Sequence, residues 1–243
     1  MSLQRSLGIA LRIIQGMRRD HRTLALLVVA PIVIMSLIGL SFNKTPKVLD
    51  FAAPAIMSIF ALLFSFILTG VSFLRERLGG TLERLLATPV GRADLLVGYL
   101  LGFLGFALLQ SLVVQIYTVY VLHVTYKSTF LEVFLFLSIL TITGVSLGIF
   151  ISVFARNEFQ IMQFLPLFLA PQIFLSGVFL PVGEMPDYLQ AISAVLPLRY
   201  AIEGLRALML QGASLADVGK DLAILGAIAA GSLVLAGTTV RKA

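Results

Sequence analysis

FLEVFLFLSILTITGVSLGIFISVF, running from Phe130 to Phe154, carries a single charge, Glu132, at its rim. A helix rises about 1.5 Å per residue and the hydrocarbon core of a bilayer is about 30 Å thick, so about 20 apolar residues span it. The stretch is long enough, and it has company on both sides. Leu24 to Phe42, which holds Pro31, reads the same way. So do Phe51 to Leu74, and Leu95 to Leu122, where the polar residues include Gln110, Ser111 and Gln115. Phe159 to Leu180, interrupted by Pro166 and Pro171, and Leu222 to Val240 complete a set of six. In lipid every backbone donor and acceptor must pair internally, so all six are expected to be helices, with kinks at the prolines. The fold class is therefore an all-α polytopic membrane protein with six transmembrane helices.

Composition agrees. Of 243 residues, 59% are hydrophobic and 12% charged, against roughly 25% charged in soluble domains. Mean hydropathy is +1.02, so lipid must be part of the solvent. Cysteine is absent, which excludes disulfides and thiolate metal sites. Tryptophan is absent too, leaving Tyr and Phe to form any aromatic belt. The net charge of +6 reads as the Lys/Arg excess that orients a membrane protein rather than as a nucleic-acid surface.

Residues 1–23 do not have the form of a cleavable signal. Arg5, Arg12, Arg18, Arg19 and Arg22 interleave with Leu3, Leu7, Leu11, Ile14 and Met17 at spacings of three or four. That pattern predicts an amphipathic helix suited to the inner membrane surface. With this helix inside, the inner segments hold Arg5, Arg12, Arg18, Arg19, Arg22, Arg75, Arg77, Arg84, Arg92, Arg156, Arg241 and Lys242. The outer ones hold only Lys44, Lys47, Lys127, Arg199, Arg206 and Lys220. The bias places both termini in the cytoplasm of a cell-membrane protein.

Two segments are too charged or broken to span. RERLGGTLERLLAT, Arg75 to Thr88, is followed by Pro89. Gly79 and Gly80 break the chain, Thr81 is placed to cap a short helix, and Leu78, Leu82, Leu85 and Leu86 fall on one face. Such a helix ties two spans together or presents a surface to a cytoplasmic partner. From Ser176 to Gln211, Gly177, Pro181, Gly183 and Pro186 mark turns. Pro186 to Leu196 is expected as one short helix and Leu198 to Gln211 as a second, with Pro197 between them and Gly212 as the C-cap. Arg199, Glu203 and Arg206 form a charged row at i, i+4 and i+7, which reads as self-neutralised or solvated more readily than as a substrate site. These pieces are expected at or dipping into the outer leaflet.

The sequence has no GxxxxGK[ST] loop to cradle ATP phosphates, and no HExxH, GxSxG or EF-hand pattern. No two carboxylates share a span, which argues against a proton-coupled transporter or an intramembrane hydrolase. No catalytic or metal-ligating set emerges, and no cofactor of the chain's own. The hydroxyls and amides in the spans fit helix packing and a path for an amphipathic molecule equally well.

RERLGGTLERLLATP between the second and third spans resembles the cytoplasmic motif of ABC type-2 exporter permeases. FLSGVFLPVGEMPDYLQAISAVLPLRYAIEGLRALM, Phe174 to Met209, is similar to that family's fifth span, outer re-entrant hairpin and following helix. RRDHRTLALLVVAPIVIM, Arg18 to Met35, resembles its entry into the first span. The subgroup it resembles is that of small drug- or antibiotic-resistance permeases of the daunorubicin type. The resemblance covers most of the chain and implies a single transmembrane domain over residues 1–243. It implies a coupling helix over 75–89 and an outer hairpin and helix over 181–212. It further implies a permease paired with a second copy or a sister permease, sitting on two copies of a cytoplasmic ABC ATPase that binds ATP and Mg. Carried over residue by residue, Glu76, Thr81, Leu82, Glu83, Leu85 and Leu86 would lie in or beside the ATPase groove. Gly177, Pro181 and Pro197, with Arg199, Glu203 and Arg206 beside them, would belong to the outer gate. The cargo would be an amphipathic drug, antibiotic, lipid or envelope precursor, and membrane lipids are expected partners. A non-transporting scaffold or sensor subunit that docks a cytoplasmic signalling partner would present the same short helix, so that reading stays open.

Overall fold

A computed structural model describes residues 2–42, 44–88 and 90–239; the side chains of Glu83, Leu86 and Arg92 are not among those described. Pro89, the Val240 end of the sixth span, Arg241 and Lys242 fall outside the described residues. Those described are helical, without a strand among them. α1 (Leu3–Arg19) is followed by six helices long and apolar enough to cross a membrane: α2 (His21–Ser41), α3 (Pro46–Leu78), α5 (Arg92–Ile116), α6 (Phe130–Ser152), α7 (Glu158–Leu175) and α10 (Gly219–Thr239). Three short helices lie between them: α4 (Thr81–Leu86), α8 (Asp187–Ser193) and α9 (Pro197–Arg206). The chain is thus a multi-pass helical membrane protein.

α3 and α6 form the central pair. They close tightly because α6 offers Gly144 and Gly148 to α3: a Cβ at Gly148 would lie 2.7 Å from the Phe66 carbonyl oxygen, and one at Gly144 would overlap the Ser65 hydroxyl. Without a hydrophobic drive between spans in lipid, such small residues let dispersion and backbone proximity hold helices together. Several span hydroxyls return to carbonyls of their own helix, as Ser58 and Ser146 do, and a few join neighbours. Ser111 and Thr141 share a 2.8 Å hydrogen bond between α5 and α6. Thr143 donates to the Leu225 carbonyl of α10 at 3.1 Å.

α3 has 33 residues, about 50 Å of helix at 1.5 Å per residue, well beyond the hydrocarbon thickness. Its last turn explains a difference from the sequence expectation. The second span is expected to end at Leu74; instead Arg75 to Leu78 continue α3, and Thr81–Leu86 forms the short helix beyond the glycines. Charge does not end α3 because each charged residue finds a partner on a neighbouring element. The break falls at Gly79 and Gly80, with Gly80 at φ 69°. Leu78 is left exposed on the α3 side of the turn while Leu82 is buried. The helices also run unbroken through Pro31, Pro54, Pro166 and Pro171.

α9 does not lie loose on the surface. Leu198, Tyr200, Ala201, Ile202, Gly204 and Leu205 are buried, packed against α3, α6 and α10. Gly204 faces the Phe136 ring of α6 so closely that a Cβ there would overlap it.

Candidate functional site

Three consecutive residues on the last turn of α3 anchor the end of the bundle that carries α1 and α4. Successive helical positions point about 100° apart, so Arg75, Glu76 and Arg77 reach three different neighbours. Arg75 donates from Nε and Nη2 to the Glu158 carboxylate at 2.7 and 3.0 Å, at the start of α7. Its Nη1 lies 3.9 Å from Asp20, between α1 and α2. Glu76 accepts a 2.7 Å hydrogen bond from Arg12 of α1 and a 3.1 Å bond from the Tyr99 hydroxyl of α5. Arg12 also donates to that hydroxyl at 3.1 Å, closing a triangle among three helices. Arg77 donates to the Val153 carbonyl at 2.6 Å and to that of Ala155, just past the end of α6. Carbonyls at a helix C-terminus lack intrahelical partners and carry the negative end of the dipole, so a guanidinium there satisfies both needs.

These contacts are half-exposed, and an exposed ion pair contributes only about 0–1 kcal/mol. Their weight is geometric: one turn of α3 fixes α1, α5, α6 and α7 relative to α4, the next helix along the chain. Asp20 adds a cap. It accepts from the Thr23 backbone N–H at 3.1 Å and from the Thr23 hydroxyl at 2.6 Å, and these bonds hold its carboxyl below the usual range.

α1 lies in a shallow trough on α5. Ser6, Ile9, Ala10 and Ile13 are its buried residues. Gly98 and Gly102, one turn apart on α5, make the room: a Cβ on them would sit 2.7 Å from Cβ of Ile9 and 2.8 Å from Cβ of Ile13. The Ser2 backbone N–H donates to Asp94 at 2.7 Å, tying the start of α1 to the start of α5.

On α4, Leu82 turns into the bundle beside Leu95 and Leu96, and Leu85 packs half-buried on the same cluster. Thr81 is half-exposed and Arg84 is exposed. The side chains of Glu83 and Leu86 lie outside the described residues. Between α2, α3 and α7 opens a cleft of about 390 Å³. Its walls are apolar, including Leu26, Leu27, Ala30, Phe64 and Ile67, and the Arg75–Glu158 pair stands at one end.

At the opposite end, Gly177 follows α7 with φ 83°, a left-handed conformation that glycine adopts without strain. Its carbonyl accepts a 2.8 Å bond from Arg206, whose guanidinium sits 4.6 Å from the centroid of Phe51 at the start of α3. Burial pushes the Arg206 guanidinium below its ordinary pKa. The expected row of three charges therefore divides: Arg199 pairs with Glu203 at 3.2 Å, while Arg206 turns inward. Pro197 is buried as the first residue of α9, and the Gln172 side chain of α7 accepts the Leu198 N–H at 3.0 Å. Gly177, Pro181, Arg199, Glu203 and Arg206 line one cleft of about 330 Å³. The resemblance sets Glu76 in or beside an ATPase groove; the partners Arg12 and Tyr99, and the Arg77 and Glu158 contacts, are not among the residues the sequence singles out. Their charges at span ends were visible, but their pairing is a tertiary fact.

Six spans, a surface helix packed on the third of them and a braced short helix between the second and third define a polytopic helical membrane protein. The profile of the family described as "ABC-2 type transporter" matches residues 7–210, and the chain belongs to that family. It is 30% identical over 172 residues to the "Probable multidrug ABC transporter permease YbhS" of Escherichia coli K12, covering 70% of this chain and 46% of that protein. It is 28% identical over 159 residues to the "Linearmycin resistance permease protein LnrN" of Bacillus subtilis, covering 65% and 41%. With "Nodulation protein J" of Sinorhizobium fredii it shares 28% identity over 189 residues, 73% and 71% of the two chains. The chain spans less than half the length of the first two.

Proposed function

We propose that this chain is the membrane-embedded permease subunit of an ATP-driven exporter. α4 receives force from a separate cytoplasmic ATPase, which binds ATP and Mg, two copies serving a pair of permeases. The pair consists of this chain with a second copy or a sister permease. The observation that carries the reading is the brace of Arg75, Glu76 and Arg77, one turn before α4. A push on α4 reaches α1, α5, α6 and α7 through one rigid junction rather than through a flexible loop. The exposed Arg84, with Thr81, Glu83 and Leu86 on the same short helix, supplies the docking surface, while Leu82 and Leu85 root that helix in the bundle. α1 lies on the inner membrane face and both termini are cytoplasmic. The cleft between α2, α3 and α7, apolar along its walls and charged at one end, suits an amphipathic cargo. The family membership and the resistance and multidrug permeases among the relatives support the same class. Gly177, Pro181, Pro197, Arg199, Glu203 and Arg206 form the outer gate, where the Arg206–Gly177 bond ties the turn after α7 to α9.

Gentle affinity purification from the native membrane, with mass spectrometry of what accompanies the chain, tests this reading. A stoichiometric ABC ATPase is expected, reduced at least several-fold by Arg84→Glu or Glu83→Lys while membrane insertion is unchanged. A preparation free of ATPase, under conditions that preserve known complexes, would sink the exporter reading.

A further inference from the structure

α1 carries a second apolar face, turned away from α5 and largely exposed at its leucines. Ser6, Ile9, Ala10 and Ile13 face α5, whereas Leu3, Leu7 and Leu11 are exposed at 66%, 46% and 58%. Leu7, Leu11, Ile14 and Arg18 recur at intervals of four, three and four, so the apolar stripe runs directly into a cation. Arg18 begins a dense basic patch: Arg18, Arg19, His21 and Arg22 fall within five residues. None of the ion pairs among the described residues engages Arg18, Arg19 or Arg22. The acid in their midst, Asp20, is occupied by Thr23 and faces Arg75. Gln15, Arg18, Arg19 and His21 border an open cleft of about 340 Å³. Its rim holds guanidinium donors with no carboxylate facing them, next to the end of a leucine stripe.

We propose that the α1–α2 junction binds the phosphate of an anionic phospholipid, with the acyl chains laid along Leu3, Leu7, Leu11 and Ile14. A guanidinium fork matches phosphate oxygens, and charge complementarity selects an anionic headgroup over a zwitterionic one. The neighbouring leucines select an amphiphile over free phosphate. The proposal rests on α1 lying at the membrane surface and is independent of ATPase docking.

Native mass spectrometry of the full chain in neutral detergent tests it. The titrant is an equimolar mixture of dioctanoylphosphatidylglycerol and dioctanoylphosphatidylcholine, with inorganic phosphate as competitor. The wild type is expected to retain the anionic phosphatidylglycerol preferentially, with salt weakening the preference. A basic residue near an anionic surface is worth about 1 kcal/mol, roughly fivefold, so Arg18→Gln/Arg19→Gln/Arg22→Gln should cut that binding by about a hundredfold. Equal uptake of both lipids, or a preference that survives in the triple variant, overturns the site. Complete displacement by inorganic phosphate at the same concentration overturns the lipid assignment. The chain lacks cysteine, so an environment-sensitive dye on Leu7→Cys in anionic vesicles reports the placement of α1 separately. Apolar emission without lipid selectivity leaves α1 on the membrane and removes only the headgroup site; aqueous emission removes both.

Discussion

Glu76 takes its role from what surrounds it rather than from its own chemistry. Its carboxylate receives Arg12 and Tyr99 at once, and Tyr99 is fully buried against Phe73 and Phe103. Removing the carboxylate leaves Arg12 half-buried beside a hydroxyl with its charge unmatched. Hydrogen bonds to charged groups contribute about 1.5–3 kcal/mol, and partial exposure places this pair at the lower end. Glu76→Ala is therefore expected to lower stability by about 1–2 kcal/mol, as is Arg12→Ala. Because the two residues act on each other, the double variant should lose less than the sum, by about 1 kcal/mol. Unfolding in mixed micelles, followed by helical signal against denaturant, measures the cycle. Additivity within about 0.5 kcal/mol would mean that the two side chains meet without coupling.

Helix by helix, what decides position is where side chains are missing. α1 reaches α5 only because Gly98 and Gly102 leave a trough for Ile9 and Ile13. Gly102→Val places branched carbons where the Ile13 side chain already sits. Overpacking of this kind costs about 1–3 kcal/mol, and here α1 pays it by lifting off α5. Gly105→Ala, three residues on, meets nothing within 4 Å and serves as the control; it should be neutral or slightly stabilising. Limited proteolysis within α1 should speed up severalfold in Gly102→Val and stay unchanged in Gly105→Ala. Equal rates in both would place the anchoring of α1 elsewhere. The contrast also marks what was legible in the sequence. The six spans could be read because about 20 apolar residues have few alternatives to crossing a bilayer. The amphipathic α1 could be read from its spacing. That α3 would run through Arg75, Glu76 and Arg77 could not, because the partners that receive those charges lie 23 to 83 positions away in the chain. Nor could the division of Arg199, Glu203 and Arg206, since helical spacing alone allowed both carboxylate pairings, and the Gly177 carbonyl and the Phe51 ring took Arg206 instead.

For the molecule as a whole, orientation governs everything proposed. The brace and α4 stand at one end of α3, and the Gly177–Arg206 turn stands at the other, beside Phe51 at the start of α3. If α4 meets an ATPase, its end must face the cytoplasm, and the α8–α9 end must face out. The Lys/Arg distribution favours that direction. The absence of cysteine permits a background-free test. Arg84 and Tyr188 are both exposed, one on α4 and the other on α8, so Arg84→Cys and Tyr188→Cys should disturb little. A membrane-impermeant maleimide applied to intact cells should label Tyr188→Cys and spare Arg84→Cys until the membrane is permeabilised. The reverse pattern would invert the molecule, carrying α4 away from ATP and the basic end of α1 away from the inner leaflet. The docking proposal would then fail, whereas the headgroup site, which needs only a membrane surface under α1, and every intramolecular contact described above would stand.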